Sequence, residues 1–350
     1  MKHVLVFAEK GLFAGWPANN GAWAWNGLEV LVGFTVGPYA TQPGHNIGHP
    51  YSSHLARSED GGETWRLETP EPFVGRSGAP SDLTGRIDFG RPGFAMRVVG
   101  IGYHGSEERR GAFFTSYDRG RTWRGPHRFQ GLSDLRFLEG AEITPRTDYL
   151  VNGPDDCLLF LSARSAERWG SDRAFCIRTT DGGATFRFVS WIVPPEDPYR
   201  AVMPATVRCS ATRLVSALRR RDIAGGDCWI DAYASGNNGQ SWSFLSRIGE
   251  TGGHNGNPPA LVRTADGRVC CVYGQRNDRR IVVRISRDEG ASWEALKVLR
   301  DDYASVEDDQ DLGYPRLVQR ADGRLLALYY WATAERPHQH IAATIWDPDV

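Results

Sequence analysis

Short apolar runs separated by tight turns recur along this chain. In the stretch 259–285, an apolar run from Pro259 to Arg263 is followed by an Ala-Asp-Gly turn and by further runs at 268–273 and 281–285. The same order of runs and turn returns at 315–345. Short runs bounded by such turn residues are typical of antiparallel strands. The pattern therefore predicts an all-β protein built from many short strands.

A second motif recurs between these groups of strands. Five segments fit the pattern Ser/Thr-x-Asp/Asn-x-Gly-x-Ser/Thr-Trp/Phe, and they begin at Ser58, Ser116, Thr179, Ser235 and Ser286. In a hairpin turn, the Asp or Asn accepts backbone N–H bonds, the glycine adopts a positive φ, and the aromatic ring packs between sheets. A calcium loop is the alternative, but the segments hold too few oxygen ligands and no distal bidentate glutamate. We therefore expect structural turns, with no metal and no cofactor.

The spacing of the five segments predicts the architecture. They begin 58, 63, 56 and 51 residues apart, so the 350 residues accommodate six such units. The last unit ends at 341–345 without a turn segment, and Val4–Phe7 is the expected fourth strand that closes the ring and removes its exposed edges. The sequence predicts a single domain, 1–350, folded as a six-bladed β-propeller of four-stranded antiparallel blades. A seven-bladed ring is the alternative, but no seventh repeat is found.

Composition narrows the classes of partner. The net charge is −1 and no basic stripe or long Lys/Arg run suggests nucleic acid, so we expect no nucleic-acid partner. No apolar run approaches the ~18 residues that span a bilayer, so we expect no membrane partner. The N-terminal residues lack the features of a signal peptide, which predicts a cytoplasmic protein unless a leader has been removed. Six cysteines without a CxxC pair indicate buried free thiols. The expected state is a monomer or small homo-oligomer.

The strand order also predicts which face carries function. The motif turns and the Ala-Asp-Gly turns share one face, so the opposite face collects the starts of the innermost strands and the loops between second and third strands. Loops on a rigid scaffold commonly carry function. The candidate catalytic residues on that face are His45, His49, His104 and Tyr314. The candidate substrate-binding residues are Arg164, Arg219, Arg276, His254, Asn20 and Trp23.

Each candidate has a structural alternative. Three arginines aimed at one point suit a carboxylate, because each guanidinium donates in a bidentate fork. They could equally be surface arginines or members of ion pairs between blades. The histidines could cap loops or bind a stray metal, and Trp23 could pack between blades instead of stacking on a sugar.

The five-fold motif resembles the Asp-box, or BNR, repeat of sialidases and related propellers. The resemblance implies that the turns are structural and that the opposite face binds a carbohydrate. Arg219 and Tyr314 resemble an arginine of the sialidase carboxylate-binding triad and the sialidase nucleophile. Three other parts of that machinery are missing, because no arginine precedes Arg57, no aspartate precedes Asp60, and Met203 lies where an activating glutamate is expected. A retaining sialidase mechanism needs those groups.

Histidines take the place of the missing acids. His45 and His49 lie near the position of the sialidase acid/base, and histidine transfers protons near neutral pH. This arrangement resembles the histidine-bearing propellers that act on rhamnose–glucuronate linkages. The resemblance implies an enzyme that cleaves a terminal linkage in an acidic, uronate-containing oligosaccharide or polysaccharide, by His-assisted hydrolysis or β-elimination. The alternatives are an exo-sialidase and a non-catalytic glycan-binding propeller.

Overall fold

A computed structural model describes the chain except for residues 43, 72–78, 102–104, 107–108, 133–134, 145, 166–169 and 254. The five motif segments form the turns expected of them. In the first, Asp60 Oδ1 accepts the backbone N–H of Thr64 at 2.9 Å and Trp65 Nε1 donates to the Gly62 carbonyl at 3.0 Å. Asp118, Asp181, Asn237 and Asp288 accept the corresponding bonds in the other four turns. Local sequence thus fixes where the third strand of each unit ends.

The first three units each form one sheet. Blade one has the strand order β2-β4-β5-β6 with β3 beside β4, blade two β10-β9-β7-β8, and blade three β11-β13-β14-β15 with β12 beside β13. The strands of blade one are β2 (Leu12–Gly15), β3 (Ala22–Trp25), β4 (Glu29–Pro38), β5 (Ser52–Ser58) and β6 (Arg66–Glu68). Those of blade two are β7 (Ala95–Ile101), β8 (Gly105–Ser106), β9 (Ala112–Ser116) and β10 (Arg124–Arg128). Those of blade three are β11 (Ala141–Thr144), β12 (Tyr149–Gly153), β13 (Asp156–Ser165), β14 (Arg173–Thr179) and β15 (Arg187–Trp191).

The remaining three units are regular four-stranded sheets. Blade four has the order β16-β17-β18-β19, blade five β20-β21-β22-β23, and blade six β24-β25-β26-β1. The strands of blade four are β16 (Arg200–Arg208), β17 (Leu214–Arg221), β18 (Cys228–Ser235) and β19 (Ser243–Glu250). Those of blade five are β20 (Ala260–Arg263), β21 (Val269–Gln275), β22 (Arg280–Ser286) and β23 (Lys297–Arg300). Those of blade six are β24 (Gly313–Gln319), β25 (Leu325–Trp331), β26 (His340–Trp346) and β1 (Lys2–Phe7).

The N-terminal strand closes the ring as predicted. Residues of β1 pair antiparallel with β26, from Lys2 opposite Ile345 to Phe7 opposite Ile341. The six-bladed propeller expected from the repeat spacing is therefore confirmed. Among the described residues, helix is limited to the single turn α1 (Pro17–Asn20) and a 3₁₀ turn at Arg136–Leu138, and neither is long enough to cross a membrane.

Apolar side chains fill the spaces between neighbouring blades. Trp123 of the second motif turn packs against Trp23 of blade one, with their ring centroids 5.4 Å apart. The six cysteines are all buried and free. Burial raises the pKa of the Cys157 and Cys271 thiols, so these residues behave as small apolar groups within the sheets.

Three blades share an irregularity at the inner end of the sheet. Trp16, Met203 and Tyr314 each have a positive φ, of 60°, 57° and 47°, and each is directly followed by a proline. The strand pairing is also interrupted at Met203 and at Tyr314. Positive φ is rare for bulky residues and costs on the order of 1–3 kcal/mol, and a bulge turns a side chain away from the ladder. These bulges bring Met203 and Tyr314 to the same guanidinium: Arg219 Nη1 lies 3.9 Å from Met203 Sδ and 3.0 Å from the Tyr314 hydroxyl.

Candidate active site

A cavity of about 580 Å³ opens on the face opposite the Asp-box turns. Its walls come from the β4–β5 loop, the segment after β19, the end of β21 and the loop before β24. Strand β5 runs from the β4–β5 loop to the first Asp-box turn, so the cavity and the turns lie at opposite ends of the strands. The lining includes His45, Asn255, Arg276, Asp311 and Tyr314, together with the carboxylates of Glu307, Asp308 and Asp309.

Tyr314 is held rigidly at the base of this cavity. Its backbone N–H donates to Asn257 Oδ1 at 3.1 Å, and Asn257 Nδ2 donates to the carbonyl of Leu312 at 2.7 Å. The Gly313 between them has φ 101°, and a Cβ there would come within 2.4 Å of the Asn257 amide. The buried Asn257 therefore fixes the left-handed backbone that points Tyr314 away from its strand.

Two arginines flank the Tyr314 ring. Arg219 Nη1 donates to the Tyr314 hydroxyl at 3.0 Å, and the guanidinium carbons of Arg219 and Arg276 each lie 5.8 Å from the ring centroid. Burial alone would raise the pKa of Tyr314, but the charges of Arg219 and Arg276 and the Arg219 hydrogen bond together lower it below its usual value. The site therefore stabilises the phenolate of Tyr314.

The fork of Arg219 is otherwise occupied. Its Nε donates to the Asn255 carbonyl at 2.7 Å and its Nη2 donates to the same oxygen. Asn255 is itself held by Arg200, whose Nη1 donates to the Asn255 Oδ1 at 2.8 Å. Arg219 thus acts on Tyr314, whereas the buried Arg276 Nε has no hydrogen-bond partner within the described part of the chain.

A histidine and an aspartate form the opposite side of the site. His45 Nδ1 lies 2.8 Å from Asp311 Oδ1, and the same oxygen accepts the Tyr330 hydroxyl at 2.5 Å. Arg276 Nη2 also donates to the Tyr330 hydroxyl, at 3.0 Å. The Trp16 ring packs edge-on against His45 at 4.9 Å. The bond to Asp311 favours a proton on Nδ1 and fixes the orientation of the His45 ring.

Asp311 stays ionised in this network. Burial opposes its charge, but His45 and Arg276 outweigh burial and hold the pKa of Asp311 below its usual value. Asp311 therefore orients His45 and does not itself supply a proton.

The structure brings four of the sequence-predicted residues together: His45, Tyr314, Arg219 and Arg276. Arg164 is not among them, because it pairs with Glu142 at 3.0 Å on the neighbouring strand β11. His49 packs against Tyr51 at 4.6 Å and does not line the cavity. The roles of all these residues in binding or catalysis stay predictions.

The other predicted residues lie elsewhere or outside the described residues. Asn20 is buried and does not line the cavity; its Nδ2 donates to Thr35 Oγ1 at 3.1 Å and its Oδ1 accepts from Arg97 at 2.8 Å. Trp23 packs on Trp123 and lines a separate cavity on the propeller axis. The candidates that fall outside the described residues are His104 and His254.

Sequence reasoning missed the partners that give the site its chemistry. Asp311 opens the segment that contains Tyr314, but its contact with His45 spans 266 residues. Asn255 lies between blades four and five and Tyr330 lies on β25 of blade six, and neither residue belongs to a recognisable sequence motif. Proximity in sequence to Tyr314 is the one signal that would have pointed to Asp311. No described group of three or more His, Cys, Asp or Glu side chains could hold a metal ion.

The arrangement can take part in proton transfer. It combines a tyrosine whose phenolate is stabilised, a histidine oriented by an aspartate, and a buried arginine beside both. These are components of general acid–base catalysis.

Residues 94–326, more than half of the chain, match the family described as BNR repeat-like domain. No curated protein shows significant sequence similarity to the chain. Solved structures are similar in fold: a Dyadobacter fermentans protein of unknown function is 20% identical, with a TM-score of 0.72 over 98% of this chain and 97% of that one.

Two carbohydrate-active enzymes are also similar in fold. An α-L-arabinofuranosidase from Fusarium graminearum, in complex with an iminosugar inhibitor, is 14% identical, with a TM-score of 0.62 over 100% of this chain and 98% of that one. A polysaccharide lyase described as an ulvan lyase bound to -[GlcA(1-4)Rha3S]- is 12% identical, with a TM-score of 0.50 over 95% and 79%. At these identities, the likeness shows the fold alone.

Proposed function

The chain belongs to the BNR repeat-like domain family, and on that premise we propose that it is a carbohydrate-active enzyme. Its substrate is an acidic glycan that contains a uronate residue, and it cleaves a terminal linkage to that residue by β-elimination. Two proteins of similar fold support a glycan substrate, because their descriptions name an arabinofuranosidase and a polysaccharide lyase. Fold alone does not define chemistry, so the argument for elimination rests on the site.

One observation carries the proposal. Tyr314 lies between Arg219 and Arg276, while His45 bonded to Asp311 lines the same cavity. Arg276 keeps an unpartnered Nε, so it is the guanidinium placed to bind a uronate carboxylate. Neutralising that carboxylate makes the neighbouring C5 proton more acidic, which is the first requirement for elimination.

In the proposed reaction, Tyr314 accepts a proton from the substrate and His45 donates one to it. The Tyr314 phenolate removes the C5 proton, and the electron pair of that C–H bond forms the C4=C5 double bond. The C4–O bond breaks, and the His45 imidazolium gives its Nε2 proton to the departing oxygen. No water enters the products, and an unsaturated uronate and a free sugar hydroxyl result.

The carboxylates of the cavity favour elimination over hydrolysis. Hydrolysis by a carboxylate pair needs one member with a raised pKa that donates a proton. Four carboxylates line the cavity. Asp311 has a lowered pKa, and the other three accept hydrogen bonds: Glu307 from Thr41, Asp308 from Arg279, and Asp309 from Tyr303 at 2.6 Å. All four carboxylates therefore act as hydrogen-bond acceptors, which leaves the Tyr314 phenolate to accept the C5 proton and His45 to donate one to the leaving oxygen.

The test is a screen of oligosaccharides that end in a sugar linked to a uronate, alongside sialate-terminated ones. We expect ultraviolet absorbance from the unsaturated uronate, with Tyr314→Phe and His45→Ala each lowering kcat about 10²–10⁴-fold. Tyr117→Phe and His3→Gln, away from the cavity, are the matched controls and should retain activity. Sugar release without the absorbance would establish hydrolysis instead, and binding without turnover in the wild type would establish a glycan-binding propeller.

A further inference from the structure

A second cavity of about 290 Å³ lies on the propeller axis and shares no lining residue with the first. Its walls come from the innermost strands β3, β16, β20 and β24 and from the segment 146–149. Three charged side chains line it: Arg146, Asp148 and Arg316. The proposed reaction uses none of them.

The positive charges of Arg146 and Arg316 are only partly balanced by nearby negative charge. Arg146 is 1% exposed, and its Nη1 donates to the Met203 carbonyl at 3.0 Å. Arg316 Nη2 donates to the carbonyls of Ala18 and Thr147, each at 2.6 Å. These carbonyls are neutral acceptors, so the buried Arg146 and the partly buried Arg316 face Asp148 as the one carboxylate lining the cavity.

Two polar atoms in this group lack partners. Arg146 Nε and Asp148 Oδ2 are both buried, and neither has a hydrogen-bond partner within the described residues. A buried charged group with an unsatisfied hydrogen-bonding atom costs free energy unless something binds it. The unpartnered Arg146 Nε–H is a donor next to a second guanidinium, which is the local chemistry of an anion site.

We propose that the axial cavity binds a small monovalent anion between Arg146 and Arg316. The ion accepts the Arg146 Nε–H and faces the Arg316 guanidinium. Because Arg146 lies between β11 and β12 of blade three and Arg316 lies on β24 of blade six, the ion links two blades across the axis and stabilises the closed ring.

The other groups facing these arginines do not supply the missing negative charge. Burial raises the pKa of both Tyr149 and Cys271, so both stay neutral. Burial also raises the pKa of Asp148, to about 6, against the pull of Arg146 and Arg316. Burial and then the charge of Arg146 lower the pKa of the Arg316 guanidinium, as expected of a cation without enough counter-charge.

The test measures thermal unfolding of the full chain in sodium bromide against sodium gluconate at constant ionic strength and pH 8. We expect a saturable rise in Tm with bromide that Arg146→Met abolishes. Asp148→Asn removes the competing carboxylate and should lower the half-saturating bromide concentration about tenfold or more. Arg178→Met, which breaks an ion pair with Asp156 on blade three, is the matched control and should leave that concentration unchanged.

Crystals soaked in bromide provide an independent readout. The proposal predicts an anomalous peak within hydrogen-bonding distance of Arg146 Nε. A Tm that follows ionic strength equally in both salts, or bromide bound only elsewhere, would overturn it. Because Asp148→Asn is expected to gain affinity, the result does not depend on whether Arg146→Met folds.

Discussion

Asp148 on the propeller axis destabilises the fold when it ionises. Its pKa is raised from 3.8 to about 6 because burial outweighs the nearby arginines. A folded-state pKa above the unfolded value means that stability is fully present below about pH 4 and is lost as the pH rises through 6. The full loss is about 3 kcal/mol, of which about 2 kcal/mol falls between pH 4.5 and 7.5.

Asp148→Asn keeps the shape of the side chain and removes the titration. The free energy of unfolding of the variant minus that of the wild type should therefore increase by about 2 kcal/mol from pH 4.5 to pH 7.5. Urea unfolding at each pH in gluconate buffer measures this difference, since gluconate leaves the axial cavity without a small anion. Groups that titrate in both proteins cancel in the subtraction.

The control is Asp82→Asn, at an exposed carboxylate paired with Arg128. Its difference from the wild type should stay within about 0.5 kcal/mol across the same range. A difference for Asp148→Asn that is flat, or that decreases as the pH rises, would refute the reasoning. It would mean that the arginines stabilise the ionised carboxylate more than burial opposes it.

Three further predictions concern the active site and the turns. Arg219→Met removes the cation bonded to Tyr314, so the pKa of Tyr314 should rise. Ultraviolet titration of the phenol and the acidic limb of the kcat/KM pH profile both measure this rise, and an unchanged limb would contradict the assignment of Tyr314 as the base. Asp311→Asn should lower kcat about 10²–10⁴-fold with KM little changed, because His45 loses its orienting acceptor; full activity would exclude that role. Asp288→Ala removes the acceptor of the fifth Asp-box turn and should cost about 1–3 kcal/mol in urea unfolding without lowering kcat; a large loss of kcat would place the turns in the site.

The fold could be predicted because its determinants are local. Each Asp-box turn is formed by hydrogen bonds within eight residues, such as the one from the Thr64 N–H to Asp60, so the repeat can be recognised from the sequence alone. The number of blades follows from the spacing of these turns. The closing strand follows from the missing fourth strand of the last unit, and β1 occupies that place beside β26.

The site was only partly predictable because its contacts join distant blades. Strand ends indicated the face on which the cavity opens, and they also indicated Arg219, Arg276 and Tyr314, which the structure brings together. The same argument selected Arg164, whose cross-strand neighbour Glu142 pairs with it instead. The hydrogen bonds from the Arg219 guanidinium to the backbone carbonyl of Asn255 could not be predicted from residue types, because every residue has a backbone carbonyl.

The central claim is that this propeller removes the C5 proton of a uronate and eliminates the glycosidic oxygen at C4. A substrate deuterated at C5 tests that step most directly, through the isotope effect on kcat/KM and the mass of the product. The account predicts a primary isotope effect, loss of the deuterium, and an unsaturated uronate product. Retention of the deuterium, with oxygen from labelled water found in the released sugar, would contradict it.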